Sequence, residues 1–411
     1  MGGSGGRAGM SRTGLALSNL RAFVILIVLG FHSVLAYLDS LPAAHHAFQV
    51  PPYEWQASPI IDRERWFGFD LFCAWHDVYL MSLMFFLSGL FVWPSLARKG
   101  AWPFLRDRLL RLGLPLVLAV GLLMPLALYP VYRASAVDPS LAEYWRQWMA
   151  LPFWPCGPQW FLWQLFALNI VAAALYRIAP GAGDRLGQWA ALVRDRPARF
   201  FLALVALSAI AYMPLALRYS PWSWFQYGPF AFQSSRPLHY GVYFFAGIAV
   251  GARSLDSGLL AADGMLARYW PVWLAVAAVT FLLWIGPTAL IMEYTQGAPL
   301  WLEAAADLGF VLACAGGGMF VLALVLRCAT TRRRILDSLS ENAYGMYLVH
   351  YVFVVWLQYM LLGVALPAIA KAAIVFSGTL ALSWAATAAI RSIPLGSRLI
   401  GTDRRALAKA S

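Results

Sequence analysis

A chain that offers ten apolar windows of roughly 20 residues has few folds open to it. The windows fall at 17–38, 77–97, 109–129, 158–178, 199–217, 237–252, 270–290, 304–326, 340–362 and 367–390. In hydrocarbon each backbone N–H and C=O must find its partner within the protein, so each window is expected to be a helix. The sequence therefore predicts an all-α polytopic membrane protein of about ten transmembrane helices. Composition agrees, with 61% of the 411 residues hydrophobic and 12% charged, where a soluble domain has about 25% charged residues. The sixth window is short, and the eighth holds "CAGGG" at 314–318, small residues that let a neighbouring helix approach closely. No repeat of fixed period is visible.

Charge orients the chain. With both termini cytoplasmic, 24 of the 31 Lys and Arg and 8 of the 19 acidic residues fall on the inner side, against 7 and 11 on the outer side. That asymmetry is the positive-inside signal, so the net charge of +12 calls for no nucleic-acid partner. The opening "MGGSGGRAG" reads as a flexible leader ahead of an expected start at Met10, and no cleavable signal peptide is expected. Residues 1–16 are expected to be a tail, 17–390 the membrane domain and 391–411 a basic cytoplasmic tail. Cys73 and Cys156 fall on the outer side, where a disulfide is open to them. No CxxC or Cys/His metal spacing and no phosphate-binding Gly-rich loop is present.

Several residues do not belong in apolar windows. Arg21 and His32 are eleven residues apart in the first one, which on a helix places them on one face about 16 Å apart along the axis. With the N-terminus inside, Arg21 sits at the cytoplasmic mouth, as a snorkelling flank or a ligand-binding cation. His32 falls near mid-membrane, where an ionisable side chain needs a partner or a wet cavity; it is either a satisfied structural histidine or a functional one. His350 lies about as deep in the ninth window, with Tyr344, Tyr347 and Tyr351 recurring at helical spacing, so a polar cavity between helices and a simple hydrogen bond to backbone are both open. Arg108 and Arg111 share a face at the cytoplasmic end of the third window. Such a fork holds phosphate bidentately, or else sets topology and meets lipid headgroups. His76, Asp77 and His239 fall at outer ends of windows, and the outer loops are aromatic, notably "YSPWSWFQYGPFAFQ" at 219–233. Those rings suit an interfacial belt, and also suit stacking on sugars.

Together these elements resemble the membrane acyltransferase 3 family, which includes bacterial O-antigen and exopolysaccharide O-acetylases and succinyltransferases of periplasmic glucans. Arg21-x10-His32 is similar to the family's Arg/Lys-x10-His signature, and "FFLSG" at 85–89 to its second-span pattern. Arg108-x-x-Arg111 is similar to its RxxR stretch, "QWFLWQLF" at 159–166 to its fourth-span motif, and "NAYGMYLVH" at 342–350 to its late SYxxYLxH element. Asn342-Ala343 departs from the usual serine before Tyr344. The appended extracytoplasmic domain of some members is not expected here.

The resemblance implies an O-acyltransferase of the bacterial cytoplasmic membrane. It would move an acyl group, acetyl or succinyl, from cytoplasmic acyl-coenzyme A to a hydroxyl of a glycan or other acceptor at the membrane or beyond it. It implies His32 with Arg21 as catalytic residues and Arg21, Arg108 and Arg111 as holders of the donor's phosphates. His350, Tyr347 and Tyr344 would support the site. Acyl-coenzyme A would be a co-substrate, with no permanently bound cofactor, and the partners would be that donor, the acceptor and membrane lipid. His32 would serve as general base, or as a nucleophile through an acyl-imidazole. The rival reading is a multi-pass transporter or flippase that uses the buried histidines for proton coupling.

Overall fold

The computed structural model describes residues 11–192, 196–253 and 255–400. The expected leader, most of the expected N-terminal tail and residues 401–411 of the C-terminal tail lie outside the described residues. The described chain is a helical bundle with one small hairpin. Its long elements are α1 (Arg12–Val34), α2 (Phe67–Gly89), α3 (Val92–Lys99), α4 (Ala101–Ser135), α5 (Leu141–Met149), α6 (Trp160–Ile178) and α7 (Ala182–Leu192). They continue as α8 (Pro197–Tyr219), β1 (Trp224–Tyr227), β2 (Phe230–Gln233), α9 (Pro237–Gly251), α10 (Trp270–Ile291), α11 (Leu300–Cys328), α12 (Arg334–Met360) and α13 (Ala368–Ser392).

Every expected window is helical, and eight helices are long and apolar enough to cross a membrane. The protein is an all-α polytopic membrane protein. The remaining two windows became α9 and α12. With 15 residues, α9 spans about 22 Å, less than the hydrocarbon thickness of about 30 Å. α12 has 27 residues but opens on Arg334, Asp337 and Glu341 and buries His350 and Gln358.

Element ends differ from the apolar windows wherever a polar group is paired. α1 starts at Arg12, capped by the Ser11 hydroxyl, which accepts from the Gly14 N–H at 3.1 Å, so the tail ends before residue 16. At the other end, α13 runs to Ser392 and a short helix follows at Pro394–Leu399, so the expected tail from 391 is partly folded. α2 starts ten residues before its window because Asp77 is neutralised inside it, and Asp70 in its first turn accepts the N–H groups of Asp39 (2.7 Å) and Ser40 (3.1 Å).

α4 is one continuous run of 35 residues with π-helical turns at Leu109–Gly113 and Ala119–Leu123. Pro115 and Pro130 have no N–H to offer the carbonyls four residues back. Those carbonyls belong to Arg111 and Leu126, and α12 serves both: the Tyr344 hydroxyl donates to Arg111, and the Trp356 indole donates to Leu126 at 2.9 Å. α12 is thus fastened along α4 by its aromatic side chains.

α10 and α11 pack as an antiparallel pair. A Cβ at Gly316 would lie 2.5 Å from Thr280 Oγ1, and one at Gly317 would lie 2.9 Å from Tyr79. The small residues at 314–318 therefore do what their size predicts, on both sides of α11. All four cysteines are free thiols, so the disulfide open to Cys73 and Cys156 is not formed; Cys73 belongs to α2, and Cys156 is buried ahead of α6.

The loop from 38 to 66 covers the end of α1. Its centre is Trp55, 1% exposed, stacked on Phe48 and donating to the Phe48 carbonyl at 3.0 Å. Asp62, 3% exposed, anchors it by an ion pair with Lys371 of α13, itself 1% exposed, at 2.8 Å.

Candidate active site

The end of α1 explains where His32 stands. The helix stops at Val34 and passes into a 3-10 turn, so the carbonyls of its last turn lack intrahelical partners. Gln358 of α12 supplies them, donating to the carbonyls of His32 (2.9 Å) and Ser33 (3.2 Å). His32 consequently lies in the last turn of α1, where the window had placed it near the middle. Its Nδ1 lies 2.8 Å from the Val28 carbonyl. The tautomer that donates there leaves the Nε2 lone pair free.

Beside it stands His350, with ring centroids 4.9 Å apart and an interplanar angle of 63°. His350 is fully buried, its Nδ1 lies 2.7 Å from the Tyr347 carbonyl, and its Nε2 has no hydrogen-bond partner. Tyr347 uses its hydroxyl to hold the Pro158 carbonyl, while Tyr351 meets the His32 ring edge-on at 5.8 Å. The two histidines expected to share a cavity are brought together.

His32, Tyr347 and Tyr351 line a cavity of about 620 Å³. Its walls come from the middle of α2 (His76, Asp77), the loop after α1 (Tyr53, Glu54, Trp55), the start of α6 (Trp160) and the hairpin (Trp224, Gln226, Gln233). On its floor Arg236 pairs with Asp77 at 2.8 and 3.3 Å. The guanidinium side chain is 3% exposed and packs over Phe310 at 4.7 Å, whereas the Asp77 side chain is 34% exposed. The carboxylate can thus accept hydrogen bonds from the cavity while its charge is held by a buried partner. The sequence left both residues out of the site: Asp77 was read only as lying at the outer end of a window, and Arg236 was counted only among the outer cations. The visible signal was their place, each beside an apolar window, with opposite signs.

The other expected residues gather about three turns back along α1, around Arg21. There a second cavity, of about 460 Å³, is lined by Arg98, Lys99, Arg108 and Arg111, with Asp107, Phe91 and Phe104. Lys99 pairs with Asp107, and among the described residues Arg98, Arg108 and Arg111 have no carboxylate at ion-pair distance. Arg108 lies over Phe104 at 5.0 Å, and the exposed Arg21 guanidinium lies over Phe91 at 5.3 Å. Arg111 sits in a π-helical turn, a distortion frequent at functional sites. Tyr344, expected beside the histidines, belongs here through its bond to the Arg111 carbonyl. Such a cluster of unpaired cations suits a polyanion. Among the described residues no three His, Cys, Asp or Glu side chains gather as a metal site would require.

A family model described as an acyltransferase domain matches residues 15–388, nearly the whole chain. No curated protein and no solved structure matches it.

Proposed function

The chain belongs to the membrane acyltransferase 3 family, and we propose that it carries acyl groups across the bundle along α1. In this reading the cationic cavity faces the cytoplasm of a bacterium and holds the phosphates of acyl-coenzyme A through Arg108, Arg111 and Arg21. The pantetheine arm extends toward His32, bringing an acetyl or succinyl thioester to the distal cavity. A hydroxyl of a glycan or other acceptor enters that cavity from the opposite side of the membrane. The observation that carries the proposal is the placement of two residues three turns apart on α1: Arg21 beside the cationic pocket, and His32 with a free Nε2 on the wall of the distal cavity.

The chemistry follows from that nitrogen. The acceptor oxygen attacks the thioester carbonyl as its proton passes to His32 Nε2. The tetrahedral intermediate collapses, the C–S bond breaks, and the thiolate of coenzyme A takes the proton back. His32 is restored with no net proton gained. Its Nδ1–H to Val28 holds the ring in the base-competent tautomer throughout. His350 carries an acceptor at Nε2 when its Nδ1–H is given to Tyr347, so it does not act as an oxyanion donor; its ring packs on that of His32 and orients it. Asp77, with Arg236 behind it, is placed to orient an acceptor hydroxyl.

The test is release of free thiol by purified protein from acetyl- and succinyl-coenzyme A. His32→Ala is expected to lose about 10²–10⁴-fold in rate, the usual contribution of a general base, with donor binding retained. Wild-type activity in His32→Ala would refute the role of this histidine. Failure of any acyl-coenzyme A to bind would refute the donor.

A further inference from the structure

The hairpin β1–β2 has two faces of different chemistry. Its turn is Gly228-Pro229, with Gly228 at φ +52°, the positive φ that two-residue hairpin turns require. The register pairs Trp224 with Gln233 and Gln226 with Ala231, and these four residues face the distal cavity. The intervening pairs are Phe225 with Phe232 and Tyr227 with Phe230, so alternation sends four aromatic rings to the opposite face. Three of them are exposed to a degree unusual for such rings, at 51% (Phe225), 75% (Tyr227) and 43% (Phe230).

That face is continuous with the apolar surface of the spans. Phe230 and Phe232 pack on Trp163 in the first turn of α6, at 5.5 and 5.8 Å, and Trp163 also donates to the Ala231 carbonyl at 3.0 Å. Around it Trp154, Tyr219 and Leu238 are exposed at the same end of the bundle. The segment from Tyr219 to Ser235 holds no charged residue, so seating it against a membrane desolvates no charge. Tyrosine and tryptophan favour the headgroup boundary, where an apolar ring and a polar tip are both satisfied.

We propose that the hairpin is docked on the lipid of the distal membrane interface, its aromatic face in the headgroup–acyl boundary and its Trp/Gln face forming the wall of the distal cavity. The cavity mouth is then held at the bilayer surface, and the wall that an acceptor touches is backed by lipid. This placement does not depend on which donor the enzyme uses.

The experiment is single-cysteine labelling in liposomes. Cys328, the exposed cysteine, is replaced by serine, and cysteines are placed singly at 225, 227 and 230 and at 224, 226 and 233. Each is labelled with an environment-sensitive fluorophore and exposed to a lipid carrying a shallow nitroxide or to aqueous iodide. The expected pattern alternates with period two: labels at 225, 227 and 230 are blue-shifted and quenched by the nitroxide lipid, while those at 224, 226 and 233 are quenched by iodide. Equal quenching along both strands, or iodide access to the aromatic face, would overturn the proposal. So would protection of that face from both quenchers, the signature of a protein partner such as a second copy of the chain. Three positions per face keep the test decisive if one variant fails to fold.

Discussion

The outer loop forms part of the distal cavity, and a single buried ion pair decides whether it stays docked. Both Asp62 oxygens lie within 2.9 Å of Lys371 Nζ, and the side chains are 3% and 1% exposed. In Lys371→Met the carboxylate stays buried with the Glu64 N–H, at 2.9 Å, as its remaining donor. Breaking a buried pair on one side costs about 3–5 kcal/mol, and at 1.4 kcal/mol per decade the undocked population of the loop rises at least about a hundredfold. Asp62→Leu/Lys371→Met removes both charges. That change is neutral or stabilising by about 1–4 kcal/mol, against about 1–3 kcal/mol for the Glu64 N–H left without its acceptor, so the double variant is expected near wild type. Limited proteolysis within residues 39–66 reads the open population when reclosing outpaces cleavage. The single variant should be cut about a hundredfold faster than wild type, the double within about tenfold of it. A single variant cut at the wild-type rate, or a double cut as fast as the single, would show that this pair does not clamp the loop.

Three further outcomes test other parts of the structure. Arg108→Ala/Arg111→Ala should weaken acyl-coenzyme A binding about 10- to 100-fold per lost charge-assisted contact; unchanged donor affinity by calorimetry would remove these arginines from the donor site. In the loop, burial and the neighbouring His46 hold His45 below the ordinary histidine range, opposed in part by Asp62, and its Nε2 accepts from the Ile61 N–H at 3.2 Å. The undocked loop therefore binds the proton more tightly, so docking is complete above about pH 6.5 and weakens as pH falls below it. Hydrogen exchange of residues 45–61 in a His46→Asn background should show that loss, and protection independent of pH would contradict it. Gly316→Val should cost about 1–3 kcal/mol by overpacking against Thr280, and a thermal midpoint in detergent equal to wild type would deny the close approach of α10 and α11.

The helical bundle was legible because hydrocarbon leaves a chain little choice: apolar length alone marks a span, and all ten windows are helices. Boundaries were legible only where nothing polar crossed them. The window opened only at Asp77, ten residues into α2, because the partner that neutralises this carboxylate, Arg236, lies 159 residues away, and no local pattern announces such a pairing. α1 starts earlier than its window because a serine cap outweighs the polar residues after it. The hairpin at 224–233 escaped notice for a related reason: its alternation pairs aromatic rings with Trp and Gln, where a half-buried strand in water would pair apolar with charged residues.

The site divides along the same line. Arg21, His32, Arg111 and His350 could be named from sequence because a charge or imidazole in an apolar window is costly enough to be conspicuous, and Arg108 because it shares a helix face with Arg111. What could not be read was which of them share a cavity, since that depends on contacts between distant elements. Gln358 shows the mechanism of the selection. Its amide satisfies the two carbonyls that α1 exposes on ending at Val34, and the same contact fixes α12 at the height where His350 meets His32. Tyr344, almost two turns earlier on α12, is thereby carried to the Arg111 carbonyl at the cationic cavity. One helix thus sets the surroundings of His32 and, six residues away, the backbone of the cationic pocket. A shift of α12 along α4 would disturb both, so under the proposed function donor binding and proton transfer would depend on the same packing.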